Sequence, residues 1–328
     1  MDITVTLFGW RWSDPAVNAA ALRELNLPAL AWLWGRGRAE AIPVAAYDGW
    51  LASCAGVDRL PEAPLLLAAA GIEPAAGCWL RCDPVTLELH NDQLVLQELA
   101  PNAISAAESA ALLAALQNHF AADGWEFCAP QPGCWFVRLP VPPQVSFASI
   151  NAVRGRAVNA AMPEGPDALH WHSLLNEIQM VLYNHPVNDA RSAAGLPLVS
   201  GVWFSGQGDW PLATPLTAVA PEVHGNDVLL QAVQHHAEAR CVPVPAVYQP
   251  GIRHLVLQDA LMPLQGNDPV GWFAHWQALE TDWFAPLLTA WRRRELQRIT
   301  LVFPELGQQR TLTQAGRWQF WRRAELPR

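Results

Sequence analysis

"LLNEIQMVLYNHPVNDARSAAGLPLVSGVWFSGQG", residues 174–208, is the stretch that sets the fold. A helix over 169–183 runs into it from the left. Pro186 stops that helix, because it lacks an amide donor and clashes with the preceding turn. Just past the stop, a chain otherwise crowded with Ala and Leu collects His185, Asn188, Asp189 and Arg191. "LVSGVWFSGQG" then reads as a strand closed by a glycine turn at Gly206 and Gly208. A polar cluster at such a stop is a capping device or part of a binding pocket. As a cap, Asn188 and Asp189 serve the helix after Pro186, with Arg191 in its first turn. The two accounts are compatible, since a helix start is itself an anion site.

Upstream, residues 3–8 alternate and carry β-branched side chains, which predicts a strand. Asp14-Pro15 opens a helix to about Leu25, and Pro28 opens another that Gly35 and Gly37 end. A strand over 41–46 and short helices over 48–55 and 63–70 follow. Strand, helix, strand, helix is the grammar of a doubly wound parallel sheet. After Gly77 the texture changes to short strands over 78–82, 85–90 and 94–98. A capping box at Ser105 and Glu108 starts a helix striped by Leu112, Leu113, Leu116 and Phe120. "WEFCAPQPGCWFVRLP" predicts two strands joined by a Pro-Gly turn at 132–133. The remaining expectations are helix 228–239, strand 253–258, a long helix 270–293, strand 298–303 and a last strand near 317–321.

The totals narrow the function classes. The chain has 328 residues, 51% hydrophobic and 16% charged, which is the balance of a folded globule. No apolar run is long enough for a membrane span. The amino terminus, "MDITVTLFGW", has an acid at position 2 and no basic region, so it reads as a strand rather than a signal peptide. The six cysteines lack C-x-x-C spacing and read as reduced, mostly buried thiols. A cytoplasmic protein is expected. Net charge is −9, while residues 292–328 hold nine Arg against three Glu. Arg292, Arg293 and Arg294 read as a solvated helix end, and the acidic total argues against nucleic acid as a partner. The 17 tryptophans outnumber Phe and Tyr together, so some are expected to line surfaces.

The stretch 174–208 resembles the archaeal-type cofactor-independent phosphoglycerate mutases, in which a helix runs into H-P-V-N, an Arg and a strand ending in W-G-x-G. His185, Pro186, Val187, Asn188, Arg191, Gly206 and Gly208 match, and Ser205 stands where that family often has Trp. "LPALAWLWGRGR" is similar to the T-P-N-L helix of the alkaline phosphatase superfamily. "AGIEPAAGCWLRCDPVTL" is similar to the mutase G-Y-D-P and A-F-R-C-N segments, placing Arg81, Cys82 and Asp83. "HWQALETDWFAPLLTAW" is similar to its late helix. W-L-R-C-D-P, L-N-E-I-Q-M and H-P-V-N together resemble more closely a bacterial group, the RpfE-type regulatory proteins. The fold implied is α/β, an alkaline-phosphatase-like doubly wound core over 1–76 and 200–328 with an inserted α+β lid over 77–199.

The departures carry the functional expectation. Phosphoryl transfer in that superfamily needs two metal ions, a nucleophile, and Asp and His ligands, because the transferring group concentrates negative charge. Phe8 stands where the first metal-binding Asp belongs. Pro61 and Glu62 fall at the nucleophile segment, and Ser53 lies in a segment that does not match. Asp259 is left without its paired His, and "LVFPELGQQ" replaces S-D-H. A lone carboxylate cannot hold a divalent ion against water. His170 and His172 point to different faces of a helix, as do His235 and His236, so neither pair chelates. No G-x-S-x-G elbow occurs, and the G-x-G pairs miss the third glycine of a dinucleotide loop.

No catalytic residue, metal or cofactor is therefore expected. The resemblance implies a non-catalytic regulator that binds a phosphorylated or carboxylated small molecule or a protein partner. Its inherited pocket would bring Arg81, His185, Asn188 and Arg191 together near Gly206 and Gly208, walled by Trp34, Trp79 and Trp203. The alternative is an active metal-dependent mutase or phosphatase with rearranged ligands.

Overall fold

The computed structural model describes residues 1–12, 14–90, 93–99, 102–153, 157–315 and 323–327. Its strands in chain order begin with β1 (Asp2–Leu7), β2 (Arg38–Ala41), β3 (Gly77–His90), β4 (Gln93–Glu98), β5 (Glu126–Gln131) and β6 (Cys134–Leu139). They continue with β7 (Gly201–Trp210), β8 (Glu222–His224), β9 (Arg240–Val242), β10 (His254–Leu257), β11 (Arg298–Phe303) and β12 (Gln308–Thr313). The chain forms two compact units: Met1–Arg59 with Leu216–Arg328, and Leu60–Pro215. The last strand expected near 317–321 lies outside the described residues.

The first unit is built on a sheet of order β2-β12-β11-β1-β10-β8-β9. β1 runs parallel to both β10 and β11, β10 parallel to β8, and β8 parallel to β9, while β12 is antiparallel to β11 and to β2. Alternation in β1 explains its two faces: Ile3, Val5 and Leu7 are buried in the apolar core. That core is rich in indoles. Trp10 packs edge-on against Trp276 (4.7 Å) and Phe303 (5.5 Å), using the quadrupole preference of aromatic pairs. The expected long helix is present as Pro269–Leu279 and Ala285–Arg292 joined by a π-helical turn, Glu280–Phe284. Glu280 from that turn accepts the backbone N–H groups of Ala29 and Leu30, supplying the cap that Leu27 cannot give helix Pro28–Arg36. The strand expected over 41–46 is instead β2, starting three residues earlier, and it pairs with the unforeseen β12.

The second unit is an antiparallel sheet with helices. The two short strands expected over 78–82 and 85–90 are one 14-residue strand, β3, running through Pro84. β7 pairs along one edge, and β6 and β4 share the other. Both bonds of the capping box at Ser105 and Glu108 are present at helix Ala106–His119. Helix Ala168–Tyr183 contributes Trp171, which stacks on Trp125 (5.7 Å) beside Phe120 (4.7 Å from Trp125). The Pro-Gly turn joins β5 to β6. The unit begins at Leu60 rather than near residue 77, because helix Glu62–Ala69 packs Ala63 and Leu67 on Trp79 and Phe136. Among the described residues no helix is long and apolar enough to cross a membrane.

Candidate functional site

In an open α/β sheet, ligands sit beyond the carboxyl ends of the parallel strands. In the first unit those ends are Leu7, Leu257 and Phe303. Phe8 donates its N–H to the carbonyl of Leu257 and is 1% exposed, with Tyr47 edge-on at 5.1 Å and Trp50 at 5.3 Å. Gly9 turns with φ +76, and a Cβ there would lie 2.5 Å from the backbone of Ala260. An Oε2 atom of Glu305 accepts the N–H groups of Gly9 (2.9 Å) and Trp10 (3.2 Å). The indole of Trp272 donates to the carbonyl of Gly9 (2.6 Å). The strand ends are thus closed by aromatic rings and backbone hydrogen bonds.

The carboxylates nearby are engaged. Asp227 accepts from the Tyr47 hydroxyl (2.7 Å) and caps helix Val228–His236 through Leu230 N–H (2.9 Å). Burial, followed by the Asp227 charge, pushes the Tyr47 hydroxyl well up from its ordinary value. Burial raises Glu305, the bonds from Trp10 and Gly9 opposing it. Asp259 accepts from Gln258 (3.3 Å), and the ring of His275, lowered by burial, feels its charge. Among the described residues no three His, Cys, Asp or Glu side chains group closely enough to hold a metal ion. Among the described residues this donor set does not fit the metal pair of the phosphatase superfamily. Burial also pushes all six thiols up, Cys78 to about 12 and Cys128 to about 11, so none is an activated nucleophile.

In the second unit, the residues that sequence drew together each have hydrogen-bond partners of their own. His185 itself is the cap: its ring nitrogen Nδ1 accepts from Val187 N–H at 3.2 Å, and helix Pro186–Ala193 follows. Asn188 does not cap. It is 3% exposed, donates through Nδ2 to the carbonyls of Leu182 (2.8 Å) and Val199 (2.9 Å), and accepts from Val199 N–H (2.9 Å). Arg191 lies in the last turn of the helix, 2% exposed. It donates to the carbonyls of Pro197 (2.8 Å) and Ala103 (2.9 Å) and to Glu108 (2.9 Å). These partners are internal, so the described geometry makes Asn188 and Arg191 struts.

The expected glycine turn is a correction as well. β7 runs through both glycines to Trp210. Gly206 (φ +64) accommodates the local irregularity in pairing with β3 between Trp79 and Arg81. At Gly208 a Cβ would lie 2.3 Å from the Cβ of Pro61, so close packing of helix Glu62–Ala69 requires glycine. The tryptophans are walls of cores rather than of clefts. Trp203 is 3% exposed and donates to Ala148 (2.9 Å), and Trp79 is buried and donates to Ala75 (2.8 Å). Trp34 belongs to the first unit, 1% exposed under Arg310 and against Phe303.

Arg81, of the expected set, reaches a cavity. It lines a pocket of about 240 Å³ with Asp83, Asn102, Gln131 and Cys134. One guanidinium nitrogen donates to Asp83 Oδ1 at 2.8 Å. Burial works against the Arg81 charge, and the Asp83 carboxylate outweighs it. Burial raises Asp83, which Arg81 only partly offsets. The pocket residues Asn102, Gln131 and Cys134 carry no sequence signal, because β5, β6 and the loop before helix Ala106–His119 meet only in the folded unit.

No family model matches the chain. It is 27% identical over 155 residues to a "Probable 2,3-bisphosphoglycerate-independent phosphoglycerate mutase" of Geobacter sulfurreducens, matching 46% of this chain. The chain covers 38% of that relative's length. Among solved structures, the PH0037 protein from Pyrococcus horikoshii matches with TM-score 0.54 and 13% identity, over 99% of this chain and 90% of its own. A cofactor-independent phosphoglycerate mutase from Thermoplasma acidophilum aligns with TM-score 0.40 and 13% identity, over 95% and 89%. The chain is thus homologous in part to cofactor-independent phosphoglycerate mutase and has a mixed α/β fold in which residues 60–215 form a unit of their own.

Proposed function

We propose that this chain is a non-catalytic relative of cofactor-independent phosphoglycerate mutase, a cytoplasmic regulator of the RpfE type that binds a small anionic metabolite. The observation that carries the reading is Phe8, packed between Tyr47 and Trp50 where the mutases place their first metal-binding Asp. Glu305, the nearest carboxylate past β11, is consumed by two backbone N–H groups. Dimetal phosphoryl transfer needs several clustered oxygen and nitrogen donors, and this donor set supports binding without turnover. Arg81 is the binding residue of this reading, since its guanidinium is charged, faces a pocket and matches a phosphate or carboxylate fork. His185, Asn188 and Arg191 serve it by holding the unit together.

The test is a metal analysis of the purified chain together with a phosphoglycerate mutase assay in Mn²⁺ and Zn²⁺. Thermal shift with 3-phosphoglycerate is then measured on the natural chain and on Arg81→Gln. The expected result is no turnover, and a stabilisation by ligand that Arg81→Gln loses. Turnover abolished by a chelator overturns the non-catalytic reading. A shift that survives Arg81→Gln overturns the assigned pocket.

A further inference from the structure

In a parallel sheet covered on both faces, strands read as continuous apolar runs. The edge of the first unit's sheet departs from this. β11 reads "RITLVF" and β12 "QQRTLT", alternating so that Ile299, Leu301, Phe303 and Leu312 enter the core. The opposite face is polar. Register places Arg38 opposite Thr311, Thr311 opposite Thr300, and Arg298 opposite Thr313. The hydroxyls of Thr300 and Thr311 are 3.3 Å apart, so these side chains share that face.

A cleft of about 700 Å³ lies over this face. Its cationic rim is Arg38 and Arg298 from the sheet and Arg36 from the end of helix Pro28–Arg36. Its floor is Thr300, Thr311 and Thr313. Among the described lining residues Glu40 is the one acid, and it is held by Gln309 (3.1 Å). Arg298 has a long contact to exposed Asp2, at 3.8 Å. Among the described lining residues three guanidinium groups stand against one carboxylate, a local excess in a chain of net charge −9.

We propose that this cleft is a binding site for a linear oligophosphate, and that it is separate from the Arg81 pocket of the second unit. Arg38 and Arg298 stand two strands and two residues apart, which spaces their Cα atoms by about 12 Å at ordinary strand geometry. Long arms from such a spacing grip successive phosphates with forked donors, while the threonine hydroxyls donate from below. Among the described residues the lining side chains are guanidinium, hydroxyl, amide, carboxylate and aliphatic, and the guanidinium and hydroxyl donors match phosphate oxygens. Recognition therefore falls on the phosphate chain, whether it is free or the tail of a nucleotide.

The experiment is calorimetric titration of the full chain at low salt with orthophosphate, pyrophosphate, tripolyphosphate, ATP and adenosine. Affinity is expected to rise at least tenfold from orthophosphate to tripolyphosphate, to fall steeply with salt, and to be absent for adenosine. ATP equal to tripolyphosphate assigns the site to the phosphate chain. Arg38→Ala with Arg298→Ala is expected to weaken tripolyphosphate at least tenfold, and Glu40→Gln to tighten it. Both residues are exposed, so folding is preserved, with far-UV circular dichroism as the check. Arg81→Gln is expected to leave this binding unchanged, which separates it from the proposed metabolite pocket. No binding of tripolyphosphate at millimolar concentration overturns the proposal. So does binding indifferent to the double variant, or adenosine binding as well as ATP.

Discussion

Replacing Asn188 by Ala tests whether the polar cluster after Pro186 is a strut. The side chain makes three buried hydrogen bonds, to Leu182 O, Val199 O and Val199 N–H. Truncation leaves two carbonyls and one amide at a position 3% exposed to water. At a net 0.5–1.5 kcal/mol each, the loss is about 3 kcal/mol. With a urea dependence of about 2 kcal/mol per M, the midpoint of the second unit falls by about 1.5 M. Two compact units need not unfold together, so the assay must report on one. Cys82 supplies it: 0% exposed in that core, with a thiol held neutral by burial, it alkylates only when the unit opens. Pulse labelling across urea, read by mass spectrometry of the Cys82 peptide, gives the midpoint. Asn188→Asp keeps the shape and turns a donor into a carboxylate oxygen facing two carbonyls. Its folded carboxyl is therefore raised, so stability present below the unfolded value is lost as pH rises through the folded one. The deficit against the natural chain narrows toward pH 4. A midpoint for Asn188→Ala within 0.3 M of the natural chain would refute the strut.

Gly208→Ala is expected to cost about 2 kcal/mol or more, because its Cβ would sit 2.3 Å from Pro61, and the same Cys82 labelling reads it. Glu305→Gln keeps an acceptor for Gly9 and Trp10 while removing a buried charge. Because burial raises Glu305 above the ordinary 4.5, its charge erodes stability as pH rises past that value, and the variant should show a flatter thermal stability profile there. An unchanged slope would reject the assignment. Glu280→Ala leaves the N–H groups of Ala29 and Leu30 uncapped and is expected to lower stability by about 1–2 kcal/mol in thermal unfolding of the full chain.

What could be read along the chain was whatever local chemistry settles. Ser105 and Glu108 are three residues apart, so the capping box was legible, as were the stop at Pro186 and the turn between β5 and β6. Phe8 was legible as an apolar residue following the first strand. The second duty of Glu108 was not, because Arg191 reaches it from 83 residues away. Nor was the cap that Glu280 gives a helix about 250 residues earlier.

The sequence by itself determined the α/β alternation and most helix starts, both of which depend on residue identity and short spacing. Only the tertiary structure decided that Gly206 and Gly208 lie inside a strand, that Asn188 and Arg191 point at backbone, and that arginines from three elements face one cleft. Hydrogen-bond partners and local charge density are set by which segments pack together, and packing brings together residues that no spacing along the chain relates.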